Sequence, residues 1–166
     1  MSCSLRPVGR AQRARLEALT RATGVFREEE VRTAVELLDD ALAGDDDYRL
    51  VGAYAADELV GWACWGPTPG TDGTWDLYWI AVDPARHGTG VGSDLLREVE
   101  GQVRAGGGRL VVVETSSRAD YAPTRAFYEK RGFTRAAVLP GYYAPGDDLV
   151  IYLKDLTHGV LARAAS

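Results

Sequence analysis

The sequence is poor in the residues that build cross-linked or metal-bound proteins. Its 166 residues include two cysteines, Cys3 and Cys64, and two histidines, His87 and His158. Two cysteines are too few for a disulfide framework, so we expect reduced thiols and a cytoplasmic protein. The histidines are too few and too widely separated to form a metal site with a nearby Asp or Glu, and no metal is predicted.

Long apolar runs and an excess of positive charge are also missing. No stretch approaches the about 18 consecutive apolar residues of a membrane span, and Met1–Arg15 lacks the apolar core of a signal peptide. The 19 Lys and Arg are dispersed and outnumbered by 24 Asp and Glu, which argues against a nucleic-acid partner. With 46% hydrophobic residues, the chain can bury the core of one compact domain. We expect that domain over residues 1–155, followed by a tail over 156–166.

Hydrophobic periodicity predicts alternating strands and helices, and therefore an α/β domain. Strands are predicted over Leu5–Val8, Tyr48–Ala55, Leu59–Trp65, Trp75–Val82, Leu110–Val113, Thr134–Leu139 and Leu149–Leu153. Helices are predicted over Ala11–Thr23, from Glu28 to Gly44, over 90–105 and from Pro123 to Gly132. The segment Pro140–Asp148, between the last two strands, is predicted as a loop.

The most informative segment follows the fourth strand and carries Gly88, Gly90 and Gly92 at alternate positions. Glycine allows positive φ and lets a ligand approach the backbone. Where such a loop opens a helix, several amides and the positive helix end can converge on one anion. The pattern predicts a phosphate or pyrophosphate cradle, although a plain strand-to-helix turn has the same glycines. A Walker loop and a dinucleotide fingerprint are excluded, because no Lys-Ser or Lys-Thr follows and the spacing differs.

Two motifs in this chain resemble those of the GNAT superfamily. His87-Gly88-Thr89-Gly90-Val91-Gly92 resembles its [Gln/Arg]-x-x-Gly-x-[Gly/Ala] signature, with His87 at the first position. The segment Thr124–Phe133 resembles its A-x-x-[FL]-Y-x-x-x-G-F helix, with Thr124 in place of Ala and Tyr121 where Asn is frequent. The motifs occur in the family's order, and the resemblance extends from Leu5 to Leu153.

The resemblance implies a GNAT fold and acetyl-CoA as co-substrate. The fold is a mixed, mostly antiparallel sheet, splayed between strands four and five and flanked by about four helices. The pyrophosphate would rest on the loop His87–Ser93, and the pantetheine arm would lie in the splayed cleft. The residues expected to bind acetyl-CoA are Ile80, Ala81, Val82, His87, Gly88, Thr89, Gly90, Val91, Gly92, Ser93, Thr124, Phe127 and Tyr128.

The family transfers acetyl directly, so the acceptor amine must lose a proton and the leaving thiolate must be stabilised. Tyr128 matches the family's general-acid tyrosine, whereas the alternative is a core tyrosine beside Phe127. Amides near Ala81 would polarise the thioester carbonyl. Glu114 is the leading candidate for the base and Asp76 its rival, while ordered water alone is a third alternative.

The resulting hypothesis is an N-acetyltransferase that acts on the primary amine of a small molecule, such as an amino acid, an amino-acid-like toxin or an amine metabolite. The alternatives are a protein or peptide N-acetyltransferase and a non-catalytic acyl-CoA sensor on the same fold. The segment Gly141–Asp148 is expected to overhang the cleft, and the resemblance leaves a homodimer open. Acceptor contacts are expected from Phe26, Trp65, Tyr78, Tyr121, Tyr142 and Tyr143.

Overall fold

The computed structural model describes residues 3–157, and within them it contains one seven-stranded sheet. Along the sheet the strand order is β1-β2-β3-β4-β5-β7-β6. The strands are β1 Ser4–Arg6, β2 Arg49–Ala55, β3 Glu58–Pro67, β4 Thr74–Val82, β5 Leu110–Ser116, β6 Thr134–Ala144 and β7 Asp147–Asp155. The helices are α1 Arg13–Ala22, α2 Glu28–Leu42, α3 Val91–Ala105 and α4 Ala122–Lys130. The predicted fold class and order of elements are confirmed.

The helices begin and end where their sequence signals predict. At the start of α2, the Glu30 carboxylate accepts the backbone N–H of Arg27 at 2.7 Å, which satisfies one of the amides left free at a helix start. Beyond its end, Gly44 adopts a φ of +96°, a conformation that costs glycine little. Within the described part of the chain, no helix is both long and apolar enough to cross a membrane.

The first of two compact units comprises the described residues up to Gly66 together with Tyr78–Gln102. Its core joins α1 and α2 to the fully buried Trp62, whose indole N–H donates to the Thr20 hydroxyl at 2.9 Å. At Gly61 of β3, an added Cβ would lie 3.0 Å from the Val91 side chain and 3.1 Å from that of Leu95. The absence of a side chain at Gly61 therefore allows α3 to pack directly on the sheet.

The second unit comprises Pro67–Leu77 and the described residues from Val103 onward. Here β5 pairs antiparallel with β7 from Leu110 opposite Asp155 to Ser116 opposite Leu149. Its parallel pairing with β4 covers three positions, from Thr74 opposite Leu110 to Asp76 opposite Val112. Both strands continue beyond these three positions without pairing to each other. A sheet that is splayed between strands four and five shows this pattern.

The prediction of a loop over Pro140–Asp148 is wrong. β6 extends to Ala144, a tight turn contains Gly146 with a φ of +81°, and β7 begins at Asp147. The register passes from Leu139 opposite Leu149 to Ala144 opposite Asp147, so the residues between 139 and 144 form a bulge. Pro140 is tolerated because β6 is the last strand of the sheet, where a missing N–H breaks no central ladder.

Part of the predicted C-terminal tail lies outside the described residues. His158 and residues 159–166 of the predicted tail lie outside them. The boundary between domain and tail at residue 155 therefore remains a prediction.

Candidate active site

A defined turn leads from β4 into the glycine loop. The Asp83 carboxylate accepts the backbone N–H of Ala85 at 2.9 Å, and the Asp83 carbonyl accepts that of Arg86 at 2.8 Å. Pro84 starts this turn, where its fixed φ and missing N–H cost nothing. The chain therefore leaves the strand in one specified direction.

Gly88 and Gly90 give the loop the backbone conformation that the spacing predicts. Their φ values are +75° and +93°, in the left-handed region that favours glycine. Both residues are exposed, and a Cβ built on either would have no atom within 4 Å. Glycine is therefore required at these two positions by the positive φ and not by crowding from neighbouring atoms. The space where a side chain would stand is open to a ligand.

Helix α3 begins directly after these glycines. Its first i to i−4 hydrogen bond runs from the Asp94 N–H to the Gly90 carbonyl at 3.0 Å. The amides of Val91 and Gly92 precede that bond, so neither has an acceptor inside the helix. The positive end of the helix and these amides form a site suited to an anion. The amides of His87 and Thr89, in contrast, donate within the loop to the carbonyls of Pro84 and Arg86.

The His87 side chain turns back towards β4. Its Nε2 lies 3.1 Å from the Val82 carbonyl, and since a carbonyl can only accept, Nε2 is the donor. Imidazole at the first motif position thus ties the loop to the strand end. On that strand Ala81 is buried, while Ile80 and Val82 are half-buried.

Tyr128 lies on α4 and is 4% exposed. Its ring meets those of Phe127 and Phe133 edge-to-face, each at 5.3 Å between centroids. Burial, with a smaller contribution from Tyr121, raises the pKa of the Tyr128 phenol above its ordinary value. The phenol is therefore held protonated at neutral pH, the form that can donate to a leaving thiolate.

The other two α4 residues expected at the cofactor are half-buried. Phe127 carries the Arg131 guanidinium over its ring at 3.7 Å from the centroid, so part of its surface is already covered. Thr124 lies in the first turns of the helix, after Pro123. The motif residues thus occupy one helix, as predicted.

Glu114 and Asp76 lie on one face of the sheet, within the second unit. Asp76 is paired with Val112, and Glu114 follows two residues later on β5, on the same face. Glu114 lies inside β5, because the strand continues through Thr115 to Ser116, and its side chain is exposed. The predicted strand Leu110–Val113 therefore ends three residues too early. Partial loss of hydration raises the pKa of its carboxyl group, and the charge of Asp76 raises it further. Asp76 itself accepts the hydroxyl of Thr68 at 2.6 Å.

Three of the predicted acceptor residues belong to the first unit. Phe26 follows α1 and its ring lies 5.8 Å from that of Trp79, which in turn stacks on Trp62 at 6.5 Å. Tyr78 is 38% exposed and meets Tyr48 edge-to-face at 5.7 Å. Trp65 is buried, and within the described residues its indole N–H has no hydrogen-bond partner.

The other three belong to the second unit. Tyr121 is buried and lies under the Arg118 guanidinium at 5.0 Å. Tyr142 and Tyr143 lie on the β6 bulge, with perpendicular rings 5.1 Å apart, and Tyr142 is 58% exposed. The segment predicted to overhang the cleft is therefore a bulged edge strand that presents an aromatic side chain to solvent.

The sequence did not reveal two residues that hold parts of the candidate site in place. Trp79 joins Phe26 to the core, and only a tertiary contact reveals that role. Arg15 donates to the Asp83 carboxylate at 2.5 Å across 68 positions of the chain, a pairing without a local signal. Among residues 3–157, no group of three or more His, Cys, Asp or Glu side chains is placed to hold a metal ion.

The protein defined by this fold and glycine loop is an acyltransferase. The sequence profile of the acetyltransferase (GNAT) family matches residues 14–133, and the chain belongs to that family.

The relatives of the chain in sequence include two mycobacterial proteins. One is the N-alpha-acetyltransferase RimI of Mycobacterium tuberculosis, 32% identical over 143 residues that cover 76% of this chain and 82% of the relative. The other is an uncharacterized protein of Mycobacterium leprae, 38% identical over 109 residues, or 63% of this chain. The chain spans 28% of the length of that second relative.

Solved structures share the fold over nearly the whole chain. A GNAT-family protein from Desulfovibrio desulfuricans is 44% identical and superposes with a TM-score of 0.89, covering 93% of this chain and 99% of that one. An aminoglycoside 6'-N-acetyltransferase complexed with coenzyme A has a TM-score of 0.75 over 92% of this chain and 97% of its own, at 20% identity. The second likeness concerns the fold alone.

Proposed function

We propose that this protein transfers an acetyl group from acetyl-CoA to a primary amine of a small cationic molecule in the cytoplasm. The observation that carries the proposal is the loop from His87 to Ser93, in which the exposed Gly88 and Gly90 adopt positive φ directly before α3, in a chain of the acetyltransferase (GNAT) family. An amine carrying additional positive charge is the acceptor that the acidic and aromatic side chains of the first unit favour.

The diphosphate of CoA is proposed to bind on the glycine loop. The amides of Val91 and Gly92 have no acceptor within the helix, and N–H groups at these positions point out of the helix start, where an anion can accept them. Gly88 and Gly90 leave open space where side chains would stand. Ile80 and Val82 would offer backbone groups to the pantetheine arm, in the manner that the family resemblance implies.

The chemistry assigned to the side chains is general acid–base catalysis. Glu114, or water ordered by it, takes the proton of the acceptor ammonium, so that the neutral nitrogen attacks the thioester carbonyl. After the attack the nitrogen of the tetrahedral intermediate still carries one proton more than the amide. It loses that proton as Tyr128 donates its phenolic proton to the sulfur and the carbon–sulfur bond breaks. The proton released from nitrogen restores the phenol, and the products are the amide and free CoA thiol. A raised pKa suits both roles, because it makes Glu114 a better proton acceptor and keeps Tyr128 protonated. Asp76 contributes to the first effect through its charge.

The acceptor is proposed to interact with the aromatic pair Tyr48 and Tyr78. Burial raises the pKa of Tyr48, and the negative charges of Asp45, Asp40 and Asp47 raise it further. These three carboxylates therefore lie close enough to Tyr48 to attract a cation to the pair. Tyr78 exposes part of its ring two residues before Ile80 on β4. A cation is attracted both to carboxylates and to aromatic faces, so the pair favours a polyamine or amino sugar over a neutral amine.

A second acceptor class is the α-amine of a protein. The observation that favours it is the 32% identity with RimI, which is named as an N-alpha-acetyltransferase. A peptide acceptor would need no excess of positive charge, so the two classes differ in how their rates should respond to salt.

The test is a thiol-release assay with acetyl-CoA against polyamines, aminoglycosides, free amino acids and peptides with different N-termini. We expect turnover with cationic small amines, with a KM that rises as ionic strength rises. Preferred turnover of peptides would support the second class instead. No thiol release with any amine, while CoA still binds, would refute the proposed transfer.

A further inference from the structure

An arginine of α1 reaches the base of the glycine loop. Arg15 Nε donates to the Leu59 carbonyl of β3 at 3.0 Å, and its Nη2 donates to the Asp83 carboxylate at 2.5 Å. The same Nη2 lies 3.2 Å from the Glu58 carboxylate. One guanidinium thus joins a helix, a strand and the first residue after β4.

Asp83 connects Arg15 to the glycine loop through further hydrogen bonds. Its second carboxylate oxygen accepts the Ala85 N–H, its carbonyl accepts the Arg86 N–H, and its own N–H donates to the Val60 carbonyl at 2.9 Å. The Arg86 carbonyl then accepts the Thr89 hydroxyl at 2.6 Å. A continuous series of hydrogen bonds therefore runs from Arg15 to Thr89, the residue between Gly88 and Gly90.

We propose that Arg15 is a positioning residue for acetyl-CoA: through Asp83 it holds the glycine loop in the conformation that binds the diphosphate. The inference rests on the proposed function, because it assigns the loop to CoA. Arg15 touches neither substrate, and it acts only by fixing the backbone that does.

The residue types suit this role. Guanidinium is a planar fork that donates to a carbonyl and a carboxylate at once, whereas the single ammonium of lysine does not reproduce that geometry. Hydrogen bonding to the Ala85 amide lowers the pKa of Asp83, and Arg15 lowers it further, so the pair stays charged well into the acid range. Asp83 is 20% exposed on its side chain and Arg15 is 33% exposed, which limits solvent screening of the pair.

A second ion pair of α1 supplies a matched control. Arg13 donates to the Asp39 carboxylate at 2.9 Å, two residues before Arg15 on the same helix, and this pair joins α1 to α2 instead of to the loop. Replacing Arg13 by alanine removes a comparable ion pair and should lower stability by a similar small amount. It should leave the loop conformation unchanged.

The experiment measures CoA affinity by calorimetry, and KM and kcat for acetyl-CoA, in the wild type and in Arg15→Ala, Arg13→Ala and Asp83→Asn. We expect Arg15→Ala to weaken CoA binding about tenfold, as when the binding conformation falls to a tenth of the population. KM should rise accordingly, kcat should stay within about twofold, and Arg13→Ala should bind CoA like the wild type. Asp83→Asn keeps an acceptor for the Ala85 amide, and it should match Arg15→Ala.

Asp83→Asn alone decides the question if Arg15→Ala folds poorly, and the double variant Arg15→Ala with Asp83→Asn extends the test. If Arg15 acts through Asp83, the double variant binds CoA no more weakly than either single one. Additive losses, equal losses in Arg13→Ala, or unchanged affinity in Arg15→Ala would each overturn the inference. Failure of the wild type itself to bind CoA would instead refute the proposed function.

Discussion

Replacing Tyr128 by phenylalanine removes one oxygen and keeps the aromatic ring. The ring contacts with Phe127 and Phe133, each 5.3 Å between centroids, would persist in the variant. We therefore expect the free energy of unfolding to change by less than about 1 kcal/mol. The rate should respond far more, because loss of a general acid lowers kcat by about 10² to 10⁴, or about 3 to 5 kcal/mol of barrier.

The assay is steady-state thiol release at saturating acetyl-CoA, with CoA affinity measured separately. Tyr152→Phe is the control, since Tyr152 is fully buried beside Tyr128 and its hydroxyl donates to Glu129 at 2.7 Å. That change should lower stability by about 1 kcal/mol and leave kcat unchanged. If Tyr128→Phe turned over at the rate of the wild type, or lost activity only through lost CoA binding, the reasoning about the acid would be refuted.

Further predictions concern the base and the packing. Glu114→Gln should lower kcat/KM at least tenfold and abolish the acid limb of the pH profile of kcat/KM. Because folding raises the pKa of the Glu114 carboxyl group, the free energy of unfolding at pH 7 should not fall in this variant. Asp76→Asn should move that limb to lower pH, because the charge of Asp76 raises the pKa of Glu114; an unmoved limb would exclude Glu114 as the base. Gly108→Ala should destabilise by about 1 to 3 kcal/mol in denaturant titrations, because the new Cβ would lie 2.5 Å from the Trp75 indole nitrogen. Gly101→Ala in α3 has open space and should stabilise by about 0.5 to 1 kcal/mol; equal effects at both glycines would contradict the packing described.

Local signals explain why most elements were predictable. The apolar positions Val91, Leu95, Val99 and Val103 are all buried, as their spacing of four residues predicts. The positive φ values at Gly88 and Gly90 were also predictable, because glycine adopts this conformation at little cost and other residues rarely do. Features set by short-range chemistry therefore appear in the sequence.

Long-range pairing explains what the sequence could not show. Pro140 and Gly141 normally indicate a loop, and only pairing with β7 draws them into a bulged edge strand. The apolar run predicts a strand that stops at Val113, yet Thr115 and Ser116 also pair with β7 and extend β5 beyond Glu114. The contact of Arg15 with Asp83 likewise depends on the tertiary fold.

A calorimetric titration of the protein with CoA, repeated with Gly90→Ala, tests the diphosphate site most directly. Gly90 is exposed and has a φ of +93°, so alanine strains the loop and fills the space offered to the ligand without touching the core. We expect saturable CoA binding by the wild type, at least about tenfold weaker binding by Gly90→Ala, and wild-type affinity in Gly101→Ala. Equal affinities in all three proteins, or no binding by the wild type, would contradict it.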